Sequence, residues 1–299
     1  MNMNTPIPEA KIDVAQVAVQ SRGYWATVLE RLKRDRVTLF FGGVVLLVIL
    51  VAVFADFLAP HDPYKASIIK RLKPVGTEGH LLGTDETGRD MLSRLIQGAR
   101  LSLFMGNMPV LNALLIGGTL GIIAGFVGGR TNMIIMRSMD VFYAFPSVLL
   151  AIAISGALGA GIVNAIISLT LVFIPPLARV SESVTTQVRN LDYVDAARAS
   201  GADSLTIIRV HVLSNVLGAI FIYAPSLISG SSILASGLSF LGLGSKPPEP
   251  EWGLMLNTLR QAISVNPLLA ALPGVMIFIT SLSFNLVSDG LRSAMDIKV

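Results

Sequence analysis

The chain has 299 residues, of which 53% are hydrophobic and 14% charged, with a formal net charge of +4 and no cysteine. A mean hydropathy of +0.68 is far above the value of a soluble domain, so the sequence indicates an integral membrane protein. The lack of cysteine excludes disulfides and thiolate metal sites, and the three histidines lie too far apart in sequence to suggest a metal site. Basic residues cluster beside apolar stretches, as membrane topology requires, which argues against a nucleic-acid partner.

Six apolar stretches are long enough to cross the roughly 30 Å of bilayer hydrocarbon as helices. We expect these spans at residues 37–59, 101–127, 139–158, 162–178, 216–243 and 268–287. Pro175 and Pro176 predict a kink or an end of the fourth helix, because proline lacks the amide donor. Basic residues precede the first span, so the amino terminus is predicted to be cytoplasmic. Because six spans return the chain to the same side, the carboxy terminus is predicted to be cytoplasmic too.

These spans divide the chain into regions. They are a cytoplasmic tail with an amphipathic helix (1–36), the first span (37–59), an external segment (60–100), a five-helix transmembrane core (101–291) that contains a cytoplasmic loop (181–215), and a cytoplasmic tail (292–299). Within the external segment, apolar and charged residues alternate over 87–96. This pattern predicts a helix that lies flat with one apolar face.

Glycines recur at every fourth position of the second span. Gly117, Gly121 and Gly125 fall on one face of a helix, and small residues at this spacing let two helices approach closely in lipid. We therefore predict a helix-packing face. The alternative is glycine scattered without a packing role, since membrane helices use glycine freely.

The stretch from Asn190 to Asn215 is the longest soluble-looking segment in the second half of the chain. Asp192 is a candidate N-cap, Asp195 adds a carboxylate to the first turn, and the alanines that follow favour a helix with a small surface. Gly201 can adopt the left-handed conformation that ends a helix. These residues alone leave two interpretations open: docking onto a partner protein, or lying on lipid headgroups.

Several kinds of chemistry are missing from the sequence. It has no Gly-Lys-Ser/Thr ending of a phosphate-binding loop, no nucleophile elbow with a plausible histidine partner, and no carboxylate pair inside the spans. We expect no catalytic residue, no metal site and no cofactor in this chain, and a source of energy outside it. An ion-coupled carrier or channel that acts alone is the alternative.

Several stretches resemble the membrane permeases of binding-protein-dependent ABC importers of the dipeptide, oligopeptide and nickel group. Residues 195–215, DAARASGADSLTIIRVHVLSN, are similar to the loop signature of these permeases, although Asp195 replaces the usual glutamate and Ser214 the usual proline. The stretches that resemble the second permease of this group are 80–103, 136–152, 238–256 and 284–296.

The resemblance implies an all-α permease of the type I importer fold, with six transmembrane helices, in the inner (plasma) membrane of a bacterium. Its implied partners are a homologous second permease, two ATPase subunits or domains that carry ATP and Mg²⁺, and an external solute-binding protein. The implied cargo is peptides or similar small solutes, and the resemblance assigns no residue to the translocation path.

The resemblance also favours docking over the headgroup interpretation, with a coupling helix that inserts into an ATPase. The implied docking residues are Asp192, Tyr193, Asp195, Ala196, Ala197, Arg198 and Gly201. In the external segment, Arg89, Asp90 and Arg94 are candidate contacts for the binding protein, and a solvated linker is the alternative.

Overall fold

The computed structural model describes residues 24–295, and this range folds into helices joined by turns and loops, without strands. Residues 1–23 of the predicted amino-terminal region (1–36) and residues 296–299 of the predicted carboxy-terminal tail (292–299) lie outside the described range. The α-helices are α1 (Tyr24–Arg34), α2 (Arg36–Val53), α3 (Ala55–Leu58), α4 (Met91–Val127), α5 (Gly129–Tyr143), α6 (Ser147–Leu158), α7 (Ile162–Arg189), α8 (Asp192–Ala199), α9 (Ser204–Ile207), α10 (Leu213–Phe240), α11 (Trp252–Leu259) and α12 (Pro267–Met295).

The number of spans agrees with the sequence prediction. Five helical stretches in the described range are long and apolar enough to cross a membrane singly, and the bent pair α5 and α6 makes a sixth if it is one span. Helices α4 and α7 form the central pair, α10 contacts both, and α12 joins α10 to α2. The core between them is apolar, with Met105, Leu169 and Leu177 fully buried.

The second span begins earlier than predicted. The residues expected to lie flat at 87–96 include the first turns of α4, which runs without interruption from Met91 to Val127. Asp90 is its N-cap, and the Asp90 carboxylate accepts a hydrogen bond of 2.8 Å from the Ser93 amide. The predicted boundary at residue 100 therefore falls inside a helix, because the charged residues before it are satisfied by protein rather than by solvent.

The third span is not the single helix predicted at 139–158. The expected basic turn at 128–138 is part of α5, and α5 and α6 are bent by 89° relative to each other. The break falls at Pro146, which lacks an amide donor and disfavours a helical conformation in the residue before it. At Pro175 and Pro176, where a kink or a helix end was predicted, the helix does not end, since α7 continues to Arg189. Packing against neighbouring helices lets membrane helices contain prolines.

Other boundaries shift at the ends of the bundle. The first predicted span, 37–59, divides into α2 and the short helix α3. The predicted loop at 181–215 begins within α7 and ends within α10. Helix α12 runs to Met295, so the predicted tail at 292–299 starts as helix.

The glycine face of α4 lies against α7. A Cβ added at Gly117 would stand 2.5 Å from the Ile174 carbonyl oxygen, and one at Gly125 would stand 2.7 Å from the Glu182 carbonyl oxygen. At Gly121 an added Cβ would overlap the Ala178 carbonyl oxygen. The backbones of α4 and α7 are thus too close for any side chain at these three positions.

Candidate functional site

Helix α8 follows α7 almost directly. Helix α7 ends at Arg189, and Leu191 occupies the N-cap position of α8. Asp192 is therefore the first residue of the helix and not the predicted N-cap. Asp192 and Asp195 both lie in the first turn, where negative charge interacts favourably with the helix dipole.

One side chain anchors α8 to the bundle. Val194 is fully buried, and Ala197 is half-buried against the same apolar core. The opposite face, which carries Asp192, Ala196 and Ala199, is exposed. Val194 was not predicted from the sequence, although its position facing away from Asp192 and Ala196 on a helical projection could have revealed it.

The end of α4 lies beneath α8. The Arg198 guanidinium stands over the Phe126 ring at 5.7 Å and pairs with the Asp195 carboxylate at 3.0 Å. Arg189 donates a hydrogen bond of 3.2 Å to the Phe126 carbonyl oxygen. The pair of Arg198 and Asp195 is largely exposed and adds little stability. The contact between the Arg198 guanidinium and the Phe126 ring, however, places α8 at the end of the central helix pair.

A glycine turn returns the chain toward the membrane. Gly201 has φ of +83°, as predicted for a left-handed helix end, and the amides of Gly201 and Ala202 donate to the carbonyl oxygens of Arg198 and Ala197 at 3.0 and 3.1 Å. After this turn the chain is helical through α9, a π-helical turn at Ile208–Val212, and α10. Tyr193 of α8 packs near the His211 ring, with centroids 5.9 Å apart.

Ser214 lies inside the helical stretch that enters α10. Its hydroxyl donates a hydrogen bond of 2.8 Å to the Val210 carbonyl oxygen, one helical turn earlier. The helix is continuous at the position where the resembling permeases carry proline. The chain therefore joins α9 to α10 through a π-helical turn rather than through a break.

The opposite end of α4 carries a cap, which we define as residues 59–90. Arg89, Asp90 and Arg94, predicted as contacts for a binding protein, are only 7%, 3% and 2% exposed. Arg89 Nε donates to an Asp85 carboxylate oxygen at 2.6 Å, and Arg94 Nε lies 3.2 Å from the same oxygen. The three side chains are therefore buried and engaged within the protein: Arg89 and Arg94 pair with Asp85, and Asp90 bonds to His80 and Ser93.

Arg94 also connects the cap to the segment before α11. Its Nη1 donates to the carbonyl oxygens of Pro63 and Pro248 at 3.1 and 3.2 Å, and its Nη2 donates to that of Glu249 at 3.3 Å. One buried guanidinium thus holds together the cap, the first turn of α4 and the segment before α11.

Two carboxylates near the cap have shifted pKa values. Burial opposes ionisation of Asp90, but hydrogen bonds from Ser93 and His80 outweigh it and hold the pKa of Asp90 below its ordinary value. Asp90 is therefore ionised at neutral pH. At Glu251, the N-cap of α11, burial raises the pKa although two backbone amides donate to the carboxylate.

The family follows from comparison with known proteins. Residues 117–299 match the family of binding-protein-dependent transport system inner membrane components, and residues 23–74 match the N-terminal transmembrane domain of oligopeptide transport permease C. The chain belongs to the first of these families. It is a multi-pass inner-membrane permease subunit of a binding-protein-dependent ABC importer.

Two relatives match most of the permease. It is 40% identical over 275 residues to the glutathione transport system permease protein GsiD of Pectobacterium atrosepticum, covering 92% of this chain and 91% of the relative. It is 42% identical over 260 residues to the di/tripeptide transport system permease protein DppC of Pseudomonas aeruginosa, covering 85% and 86%. The alternative of an ion-coupled carrier acting alone finds no support in these relatives.

A solved structure shares the fold of the permease. The inward-facing MetNI methionine ABC transporter superposes with a TM-score of 0.57 at 17% sequence identity, covering 68% of this chain and 97% of the other. At this identity the likeness establishes the fold alone. The permease has the type I ABC importer fold predicted from its sequence.

Proposed function

We propose that this permease passes glutathione or short peptides from an external solute-binding protein into the cytoplasm, driven by ATP hydrolysis on partner subunits. The glutathione and di/tripeptide systems of its relatives support this class of solute. A homologous second permease and two ATPase subunits or domains, which carry the ATP and Mg²⁺, complete the importer. This chain contributes the translocation pathway and no catalysis.

The geometry of α8 supports docking onto an ATPase. Its outward face presents the small side chains of Ala196 and Ala199 beside exposed aspartates, a narrow ridge that a groove on a partner can accept. Val194 and the contact between Arg198 and Phe126 hold the other face to the bundle. A displacement of α8 would therefore move α7 and the end of α4 with it.

The charge distribution supports the orientation. The last turn of α1 carries Arg31, Lys33 and Arg34 immediately before α2, and basic residues beside a span favour the cytoplasmic side. Helix α8 and both chain ends are then cytoplasmic, and the cap is external. The binding protein would meet the exposed surface of the cap rather than its buried arginines.

Ala196→Trp tests the docking proposal. A bulky side chain on the outward ridge should clash with the groove of the ATPase, and an overpacking cost of about 1–3 kcal/mol corresponds to a loss of about 5- to 150-fold. In the importer reconstituted in liposomes, we expect solute uptake and solute-stimulated ATP hydrolysis to fall by about that factor. Because Ala196 is exposed, the variant chain should fold and insert normally.

Ala196→Ser is the matched control, since it keeps the ridge narrow and should keep uptake near the wild-type rate. If Ala196→Trp is fully assembled and transports like wild type, α8 does not dock through its outward face. Copurification of the ATPase with each variant separates failed docking from failed transport of the chosen solute.

A further inference from the structure

Two histidines that are distant in sequence come together in the cap. His61 follows α3 and His80 precedes α4, and their ring centroids lie 4.9 Å apart. Asp90 completes the group, with its Oδ1 2.9 Å from His80 Nδ1 and 3.7 Å from His61 Nδ1. One potential ligand atom from each residue lies within 4.8 Å of the other two.

A shared serine positions two members of this cluster. The Ser93 amide and hydroxyl both donate to Asp90 Oδ2, at 2.8 and 2.7 Å, which leaves Oδ1 directed at the histidines. The Ser93 hydroxyl oxygen also accepts a hydrogen bond of 3.0 Å from the His61 amide. Outer partners of this kind fix the orientation of first-shell ligands in metal sites.

The exposure of the cluster leaves one open side. The side chains of His80 and Asp90 are 9% and 2% exposed, whereas that of His61 is 46% exposed. An ion can therefore enter beside His61 and keep a position for water. Three protein ligands with one open position are typical of zinc sites that are not fully enclosed.

We propose that His61, His80 and Asp90 form a binding site for a divalent transition-metal ion, of which Zn²⁺ is the best match. Two imidazoles and one carboxylate suit Zn²⁺ and its neighbours in the first row better than Mg²⁺ or Ca²⁺. Bonds of about 2.0–2.2 Å in a tetrahedron separate ligand atoms by about 3.3–3.6 Å. The separations of 2.9 and 3.7 Å lie close enough to this range for small side-chain rotations to complete the site.

Lys70 contacts one histidine of the cluster. Its Nζ lies 3.2 Å from His80 Nε2, and because an ammonium group can only donate, Nε2 accepts and Nδ1 carries the proton shared with Asp90. When a metal binds at Nδ1, that proton moves to Nε2, and Lys70 must turn away. Lys70 is exposed and can do so. Its positive charge therefore competes with the ion.

No metal site was expected from the sequence, because the spacing of these residues along the chain does not reveal the cluster. Folding of the cap brings His61, from the end of the first span, to the N-cap of α4. A bound ion would link these two elements directly. It would stabilise the cap whatever solute the importer carries.

Zn²⁺ titration of the full-length chain tests the site. The protein, in lipid nanodiscs and stripped of metal, is titrated in competition with a chromophoric chelator. We expect one Zn²⁺ per chain with a dissociation constant in the micromolar range or below, and a weakening of about tenfold or more in His61→Ala. His211→Ala removes the remaining histidine, which lies next to Tyr193 in α8, and should bind like wild type.

Two further readouts separate ligation from misfolding. Saturating Zn²⁺ should raise the thermal unfolding midpoint of wild type, because a ligand that binds only the folded state stabilises it, and should leave that of His61→Ala unchanged. Lys70→Met should bind Zn²⁺ more tightly than wild type. Absence of stoichiometric binding in wild type, equal affinity in His61→Ala, or equal loss in His211→Ala would each overturn the proposal.

Discussion

Arg94→Ala is expected to lower the free energy of unfolding by about 3–5 kcal/mol, the cost of removing one partner from a buried ion pair. Arg94 is 2% exposed and lies at ion-pair distance from the buried carboxylate of Asp85. Its loss would also leave three backbone carbonyl oxygens without their donor. The cap should detach from the first turn of α4. The measurement is equilibrium unfolding of the purified chain in mixed micelles.

Arg34→Ala is the control for this change. Arg34 pairs with Glu30 at 2.6 Å, but its side chain is 79% exposed, and exposed pairs contribute little. The unfolding midpoint of this variant should stay close to wild type. If the two variants unfold alike, the buried network around Arg94 contributes no more than a surface pair. Proteolysis within the cap should also accelerate in Arg94→Ala alone.

Gly121→Ala is expected to cost about 3 kcal/mol, at the upper end for overpacking a well-packed interior. The added Cβ would overlap the Ala178 carbonyl oxygen and stand 2.6 Å from Ser181 Cβ. The Ala178 carbonyl oxygen and the Glu182 amide nitrogen, which would lie 2.9 Å from the added Cβ, belong to the backbone of α7 and cannot rotate away. Helices α4 and α7 would have to separate, which should lower both the unfolding midpoint and the yield of assembled importer.

Gly118→Ala is a closely matched control on the same helix. At Gly118 the nearest neighbour of an added Cβ is Ser181 Oγ, at 3.9 Å, which is an ordinary van der Waals contact. Both substitutions gain the same helix propensity, about 1 kcal/mol. We therefore expect Gly118→Ala to be neutral or stabilising. Equal behaviour of the two variants would contradict close packing at Gly121.

The sequence predicted features that depend on local signals. Hydropathy is a property of short windows, so the number of spans could be predicted from it, and the resemblance to the permeases implied the all-helical class. The turn at Gly201 and the face formed by Gly117, Gly121 and Gly125 likewise rest on residue type and spacing within one element. None of these predictions needed knowledge of a distant contact.

Features that depend on distant contacts were missed. Arg89 and Arg94 were predicted at the surface because charged side chains are normally exposed to solvent. In the structure both are buried, where the Asp85 carboxylate and backbone carbonyl oxygens accept their hydrogen bonds or pair with them. A helix end at the two prolines of α7 was one predicted outcome, because the sequence of one segment does not show that neighbouring helices pack against it and stabilise it. For α8, the sequence located the exposed aspartates and alanines but missed Val194 and Phe126, which hold the helix in place.

The unbroken course of α4 constrains how the chain can change. Its 37 residues extend about 55 Å, from the cap to the residues beneath α8. Each residue inserted into a helix rotates everything beyond it by about 100°. One residue inserted between Leu95 and Gly117 would leave the helix apolar and long enough to cross a membrane. It would nevertheless turn the three glycines away from α7 while Arg94 stayed in place. The number of residues between Arg94 and the glycine face is therefore set by the need to keep both contacts at once.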